Sequence, residues 1–312
     1  MVQILVWSEM TDHSEAWPMF QCVIHDLQLS CTKALLETRL VTDTVKEGGE
    51  EKHRVEIHYE ALSDVERYIE RDLQLSLEDK RPQYESLLRY VKRFWQIGPE
   101  TKMLEVGTGT GWFPILCGIN GLQCVGLEIS PQLIEVSKRL GAHHNYIPDI
   151  RLGNIETSDV GENLYDVIIA SSVFEHIENW EPALENLYRA LKPGGLLFWE
   201  SSNKFSLTSG ECARIPLYGW YPNWLRYRMR IALQGPDIMK LGIDFHQYTY
   251  PGLRSHFRKL GFREIHDRVQ LVDPSWVTSP RKQKVLALAK RSNLFRHLLL
   301  TFFEVTTFVC VK

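Results

Sequence analysis

The residues best suited to chemistry lie between Glu105 and His176. Met103-Leu104-Glu105-Val106-Gly107-Thr108-Gly109-Thr110-Gly111 runs an apolar strand pattern into three glycines at alternate positions. Glycine is needed where backbone turns sharply and must approach a ligand with no Cβ in the way. The next apolar run, Cys124-Val125-Gly126-Leu127, ends on Glu128, 21 positions after Gly107. A carboxylate there can accept hydrogen bonds from both hydroxyls of a ribose, a charge-assisted bidentate contact. Bend and acid together point to a nucleoside ligand. Taken singly, each has a plainer role: a tight strand–helix turn, and an acid at a helix start, since Ser130-Pro131 follows. A dinucleotide fingerprint would need a glycine at position 112, which is Trp112, and no Gly-Lys-Ser/Thr follows to make a phosphate loop.

A second group of candidates faces the other reactant. Ser171-Ser172-Val173-Phe174-Glu175-His176 follows an apolar strand pattern, at the carboxyl edge where open α/β sheets bind ligands. His176 is the candidate general base, with a packing and hydrogen-bonding role beside the ligand equally open. Residues 214–230, RIPLYGWYPNWLRYRMR, hold five aromatics, four arginines and no acid. That mixture suits anionic headgroups, stacked rings or a membrane interface. Trp220, Tyr221 and Trp224 are therefore expected to contact an acceptor, under a cap that touches a membrane surface peripherally. The plainer alternative is a solvated lid packed by its own aromatics. His246 and Tyr248, in DFHQYTYPGL, are further acceptor candidates or simply the lead-in to a helix.

These residues need a scaffold, and the punctuation supplies one. From Thr101 onward short apolar strands alternate with amphipathic helices, the pattern of a parallel sheet. Strands are expected at 102–106, 123–128, 150–152, 165–170 and 196–200. Pro131 opens a helix expected to stop at Gly141. Pro182 sits in the first turn of another that ends before Lys192-Pro193-Gly194-Gly195, and Pro251 opens a third that stops at Gly261. Residues 201–248 break the alternation as a cap insertion. A strand near 262–270, a helix near 281–300 and a final strand near 302–311 close the chain. Upstream, 59–75 and 82–96 read as helices, 43–56 (DTVKEGGEEKHRVE) as a charged linker, and 1–42 as foldable but without an assignable role. The domain boundary falls at an N-terminal extension and helical lid over 1–98, followed by the catalytic domain over 99–312.

Composition bounds the partners. A formal net charge of −3 provides no global basic field, so nucleic acid is not expected as a partner. The six cysteines form no CxxC pair, and His143-His144 lack further ligands at zinc-like spacing, so no metal site is expected. The first residues carry no basic stretch ahead of an apolar run, and Arg296, His297 and Glu304 interrupt the apolar stretch over 294–311. A cytoplasmic protein is expected.

LEVGTGTG, CVGLEIS, LGNIE, YDVIIASSVFEHIEN and RALKPGG, in this order, make residues 80–270 resemble the class I S-adenosylmethionine-dependent methyltransferases, especially the ubiquinone/menaquinone-biosynthesis type and its small-molecule relatives. The resemblance implies a Rossmann-like α/β fold: a mostly parallel seven-stranded sheet with helices on both faces and an antiparallel last strand. It implies S-adenosyl-L-methionine as cofactor and a small-molecule or lipid-like acceptor methylated in line. Gly107, Thr108, Gly109 and Gly111 would line the methionine end, with Glu105 holding its amino group through the loop. Glu128 would take the ribose, Ile129 pack on adenine, Asn154 and Ile155 address the adenine edge, and Ser171 border the same ligand. Many relatives carry aspartate where this chain has Asn154. The segment over 171–176 lacks the Asn/Asp-Pro-Pro-aromatic motif of enzymes that methylate exocyclic amines of nucleobases. A non-catalytic S-adenosylmethionine-binding partner or regulatory protein would keep the same loop and acid.

Overall fold

The computed structural model describes residues 76–207, 215–234 and 246–312. The expected helix over 59–75, the linker over 43–56 and residues 1–42 lie outside the described residues.

Among the described residues seven strands form one sheet: β1 (Lys102–Val106), β2 (Gln123–Glu128), β3 (Asp149–Leu152), β4 (Tyr165–Ser171), β5 (Leu191–Ser202), β6 (Glu264–Asp267) and β7 (Val305–Val311), in the order β3-β2-β1-β4-β5-β7-β6. Strands β1 to β5 pair in parallel, and β7 runs antiparallel to both β5 and β6. The helices are α1 (Leu77–Val91), α2 (Trp112–Ile119), α3 (Pro131–His143), α4 (Trp180–Ala190), α5 (Asn223–Gln234), α6 (Tyr250–Leu260), α7 (Arg268–Leu271), α8 (Pro280–Arg291) and α9 (Asn293–Thr301).

Alternation along the strands makes two cores. Leu104, Val106, Ile168, Ala170, Leu197 and Trp199 face one cluster, with α4 and α6 packed on it. Met103, Val167, Ile169, Leu196 and Phe198 face the other, against α1 and α2. A parallel sheet covered on both sides must be apolar on both faces, which is why these strands read as continuous hydrophobic runs. The crossing point lies between β1 and β4. From β1 the chain proceeds outward through β2 and β3, and from β4 it proceeds the other way through β5. Loops leaving β1 and β4 therefore diverge and leave a crevice at their carboxyl ends.

Several boundaries differ from the sequence reading for local reasons. Ser76 and Asp79 form a reciprocal capping box, so α1 starts at Leu77 and contains Pro82. Helix α3 continues through Gly141 to His143, and the returning Tyr146 carbonyl packs against Gly141. Strand β5 starts at Leu191, taking Lys192–Gly195 into the sheet with a shift of register opposite Tyr165 and Val167. Strand β6 ends at Asp267, because Asp267 and Gln270 form another capping box that opens α7. The long helix near 281–300 is two helices. Ser292 closes α8, and its hydroxyl caps α9 by accepting from the Phe295 amide.

The far end of the sheet is tied by a buried carboxylate. Asp267 accepts hydrogen bonds from Tyr250 Oη at 2.8 Å and Arg254 at 3.2 Å, with Arg296 at 3.6 Å. Tyr250 in turn stacks on Phe308 of β7. Among the described residues no helix is long and apolar enough to cross a membrane.

Candidate functional site

Parallel register brings the chemistry to one edge. Val106 pairs with Leu127 and with Ala170, Glu128 with Leu152, and Ser171 with Glu200. Hence the residues that follow β1, β2, β3 and β4 all emerge side by side at the carboxyl end of the sheet.

The bend after β1 is a set of left-handed glycines, with φ of 66° at Gly107, 59° at Gly109 and 75° at Gly111. Side chains adopt such angles at a cost of about 1–2 kcal/mol. Space also excludes them. A Cβ on Gly107 would overlap Val173 Cγ2, and one on Gly111 would lie 2.6 Å from Ser137 Cβ and 2.8 Å from Ile150 Cδ1. Val173 follows β4, so the Gly107 contact closes the floor of the crevice between β1 and β4.

Glu128 is buried and holds the bend in place. Its carboxylate accepts from the Gly109 amide at 2.7 Å on one oxygen, and from the Ile129 and Ser130 amides at 2.9 and 3.0 Å on the other. A carboxylate offers about four lone-pair sites, so these three bonds leave capacity for a ligand hydroxyl. Burial raises the Glu128 pKa, against the pull of the amides of Ser130, Gly109 and Ile129. Glu105, two residues before Gly107, is buried as well and accepts from the Thr108 hydroxyl. Burial pushes its pKa up to about 8, the Thr108 hydrogen bond opposes this, and the negative charge of Glu128 adds to it. Two desolvated carboxylates in one cradle favour a cationic ligand.

The structure brings together Glu105, Gly107, Thr108, Gly109, Gly111 and Glu128. Ile129, half-buried, opens toward α3 from the same edge. Asn154 follows β3, but its side-chain oxygen is engaged by the Glu156 amide at 2.9 Å, and its backbone carbonyl by the Thr157 and Ser158 amides. The carbonyl expected to meet an adenine edge therefore caps a turn of its own. Ile155 is buried in the core, with its carbonyl accepting from Asn186 at 2.8 Å. Ser171 ends β4, half-buried. His176 lies in the 3-10 turn Phe174–His176 directly after β4, half-buried.

The acceptor candidates divide. Trp220, Tyr221 and His246 line one cavity of about 450 Å³ together with Lys204, Gly219, Pro222, Asn223 and Gln247. Trp224 is 61% exposed and does not line it. Tyr248 does not reach a ligand surface. It is 5% exposed, its hydroxyl donates to the Phe174 carbonyl at 2.8 Å, and its ring meets Trp180 and Trp199 edge-on. Here the aromatic is a core residue. The arginine-rich face is also not assembled as expected. Arg226 is 1% exposed, lying over the Tyr218 and Tyr227 rings, and Arg230 is buried as well. Arg228, beside Trp224, is exposed. Arg214 lies outside the described residues.

A model of the methyltransferase domain matches residues 77–270. The chain belongs to the methyltransferase domain family. It is of the class I, S-adenosylmethionine-dependent kind. Among curated relatives, it is 28% identical over 103 residues to malonyl-[acyl-carrier protein] O-methyltransferase of Serratia marcescens, covering 33% of this chain and 39% of that one. It is 30% identical over 189 residues to highly reducing polyketide synthase 40 of Fusarium mangiferae, covering 55% and 7%. The mitochondrial ubiquinone biosynthesis O-methyltransferase of Rattus norvegicus is 31% identical over 114 residues, covering 34% and 32%. The matches thus span well under half of each of these relatives. A solved S-adenosylmethionine-dependent methyltransferase from Archaeoglobus fulgidus superposes with a TM-score of 0.48 at 17% identity, covering 79% of this chain and 99% of that one.

Three residues of this methyltransferase domain's site were not singled out in the sequence as having a role. Val173 matters only because it lands on Gly107. Glu175, buried beside the proposed base, accepts from Ser201 Oγ at 2.6 Å, and its backbone carbonyl accepts from the His246 amide at 3.3 Å. Gln247 lines the cavity, yet in the sequence it is one polar residue among several.

Proposed function

We propose that the chain binds S-adenosyl-L-methionine in the crevice between β1 and β4 and methylates a small-molecule or lipid-like acceptor. The observation that carries this is the Glu128 carboxylate on the Gly109 amide at 2.7 Å. It joins the acid that ends β2 to the bend after β1, so a ribose hydroxyl and a methionine tail would be held by one rigid unit. The glycine positions fit the group, since the left-handed φ of Gly107, Gly109 and Gly111 folds the chain back at the carboxyl end of β1 with bare backbone along the bend. The buried Glu105–Glu128 pair suits a ligand bearing both a sulfonium and an ammonium charge.

When bound, the cofactor supplies a methyl group already activated on sulfur. The protein's part is to hold the acceptor in line with it, which is worth several powers of ten. His176 would take the acceptor's proton as the methyl carbon passes from sulfur to the acceptor, the carbon–sulfur bond breaking and S-adenosylhomocysteine leaving. Glu105 would hold the amino group, while Ile129 and Ser171 would border the adenosine and Asn154 and Ile155 would shape the turn beside it. Trp220, Tyr221 and His246 form the acceptor wall, and a lipid-like acceptor would be met at the exposed Trp224 and Arg228. Three buried free thiols, Cys117, Cys124 and Cys310, support a reducing, cytoplasmic setting.

The test is transfer of labelled methyl from S-adenosylmethionine into a small-molecule and lipid extract. Label should move into a low-mass product with wild type and not with Glu128→Ala. No labelled product with wild type would favour a non-catalytic binding protein instead.

A further inference from the structure

The two helices that precede β7 show solvent different chemistry. On α8, Leu286 and Ala289 turn inward and are buried, while Arg281, Lys284, Leu288 and Arg291 form an exposed stripe on the opposite side. On α9, Leu300 is buried and Phe295 and Leu299 are half-buried. Leu294, 73% exposed, and Leu298, 51% exposed, stand one turn apart on its outer side. Only Ser292 separates the two helices, so the basic stripe ends at Arg291 and the apolar one begins at Leu294.

The apolar surface continues beyond α9. Phe302 follows Leu298 by one more turn, its amide donating to the Leu298 carbonyl at 3.3 Å. Its exposed ring stacks on that of Trp220, also exposed, with centroids 6.1 Å apart and 15° between the planes. The Trp220 amide donates to the Leu217 carbonyl at 2.9 Å, and the Leu217 amide to the Leu207 carbonyl at 3.3 Å, with both leucines exposed. A single exposed leucine needs no explanation, but a linked run of large apolar side chains marks an interaction surface.

Charge names the occupant. From Arg281 to Phe303 the sequence carries six lysines and arginines and no acid, Glu304 being the next one. Arg296 is committed to Asp267, whereas Arg281, Lys284 and Arg291 make no ion pair among the described residues. Lys204, exposed beside Trp220 in the wall of the 450 Å³ cavity, adds a cation at the far end. A second copy docked on this face about a two-fold axis would set like charges against each other. An anionic bilayer suits both halves: headgroups meet the cations, and the acyl boundary takes the leucines and rings. At 12 and nine residues, the helices are too short to cross it and would lie along it.

We infer that the outer faces of α8 and α9, together with Leu207, Leu217 and Trp220, form a peripheral docking surface for an anionic lipid bilayer. Its charge comes from α8 rather than from the cap arginines Arg226 and Arg230, which are buried. It does not rest on the methyltransferase reading above.

The test is co-sedimentation of the full chain with vesicles of phosphatidylcholine alone and of equal parts phosphatidylcholine and phosphatidylglycerol. At low salt the anionic vesicles should bind at least about tenfold more tightly, and the preference should vanish at about 0.5 M salt. Each cation near such a surface contributes about fivefold, so the triple variant Arg281→Gln, Lys284→Gln, Arg291→Gln should bind about a hundredfold more weakly. The double variant Leu294→Ser, Leu298→Ser should lose at least about tenfold. All five side chains are exposed, so both variants should melt as wild type does. No sedimentation with anionic vesicles, equal binding to both vesicle types, or wild-type binding by either variant would overturn the inference. A dimer in light scattering that Leu294→Ser, Leu298→Ser dissociates, without vesicle binding, would overturn it in favour of a second copy. Vesicle binding by a wild-type protein that transfers no methyl group would strike the methyltransferase reading alone and leave the docking surface standing.

Discussion

Glu105 gives cofactor affinity a specific dependence on pH. Its carboxyl is buried, and its pKa is pushed up to about 8, so near neutrality it is mostly protonated. Holding a ligand ammonium requires the ionised form. Each pH unit below the pKa adds about 1.4 kcal/mol of ionisation cost, a factor of about ten in affinity. The association constant for S-adenosylhomocysteine should therefore rise about fiftyfold from pH 6 to pH 8, and about twofold more before levelling off above pH 9. Glu105→Gln keeps an oxygen for the Thr108 hydroxyl but cannot ionise. The ligand's own amine titrates identically in both proteins, so the ratio of wild-type to Glu105→Gln affinity isolates the effect. Stability should move the opposite way. The folded pKa lies above the ordinary carboxylate value of 4.5, so this contribution is fully present below about 4.5 and lost as pH rises through about 8. At pH 9 the unliganded Glu105→Gln protein should melt higher than wild type while binding more weakly. Calorimetric titrations at pH 6, 7, 8 and 9, with thermal melts alongside, measure both. Parallel affinity curves for the two proteins would refute the assignment.

Other substitutions separate the parts of the site. His176→Ala should reduce turnover about 10²–10⁴-fold with S-adenosylhomocysteine affinity unchanged; near-normal turnover would remove the base role. Gly107→Ala combines a φ of 66° with overlap on Val173 and should cost at least about 1–2 kcal/mol in urea unfolding, with weakened cofactor binding. Asp267→Ala would strand Arg254 beside a buried void and should cost about 3–5 kcal/mol in the same assay, without changing cofactor affinity once folded.

The elements legible in the sequence were those with local causes. Proline at helix starts, glycine at Gly261 and the apolar runs into Gly107 and Glu128 placed β1, β2, α4 and α6 because each signal acts within a few residues. Boundaries set by reciprocal caps were read less well, as at Ser76–Asp79 and Asp267–Gln270, where a side chain three residues away decides the start. Burial was the least legible. Arg226, Arg230 and Tyr248 have the composition of a ligand-facing surface, yet all three are buried, Arg226 over the Tyr218 ring and Tyr248 on the Phe174 carbonyl. Glu175, Val173 and Gln247 gain meaning only from residues distant in the chain, which no spacing rule encodes.

Calorimetry of S-adenosylhomocysteine binding to wild type and Glu128→Ala tests most directly whether bend and acid form one nucleoside cradle. We expect saturable binding by wild type and a loss of at least about tenfold in Glu128→Ala, since charge-assisted hydrogen bonds contribute about 1.5–3 kcal/mol each. No binding by wild type, or equal affinity in the two proteins, would contradict it.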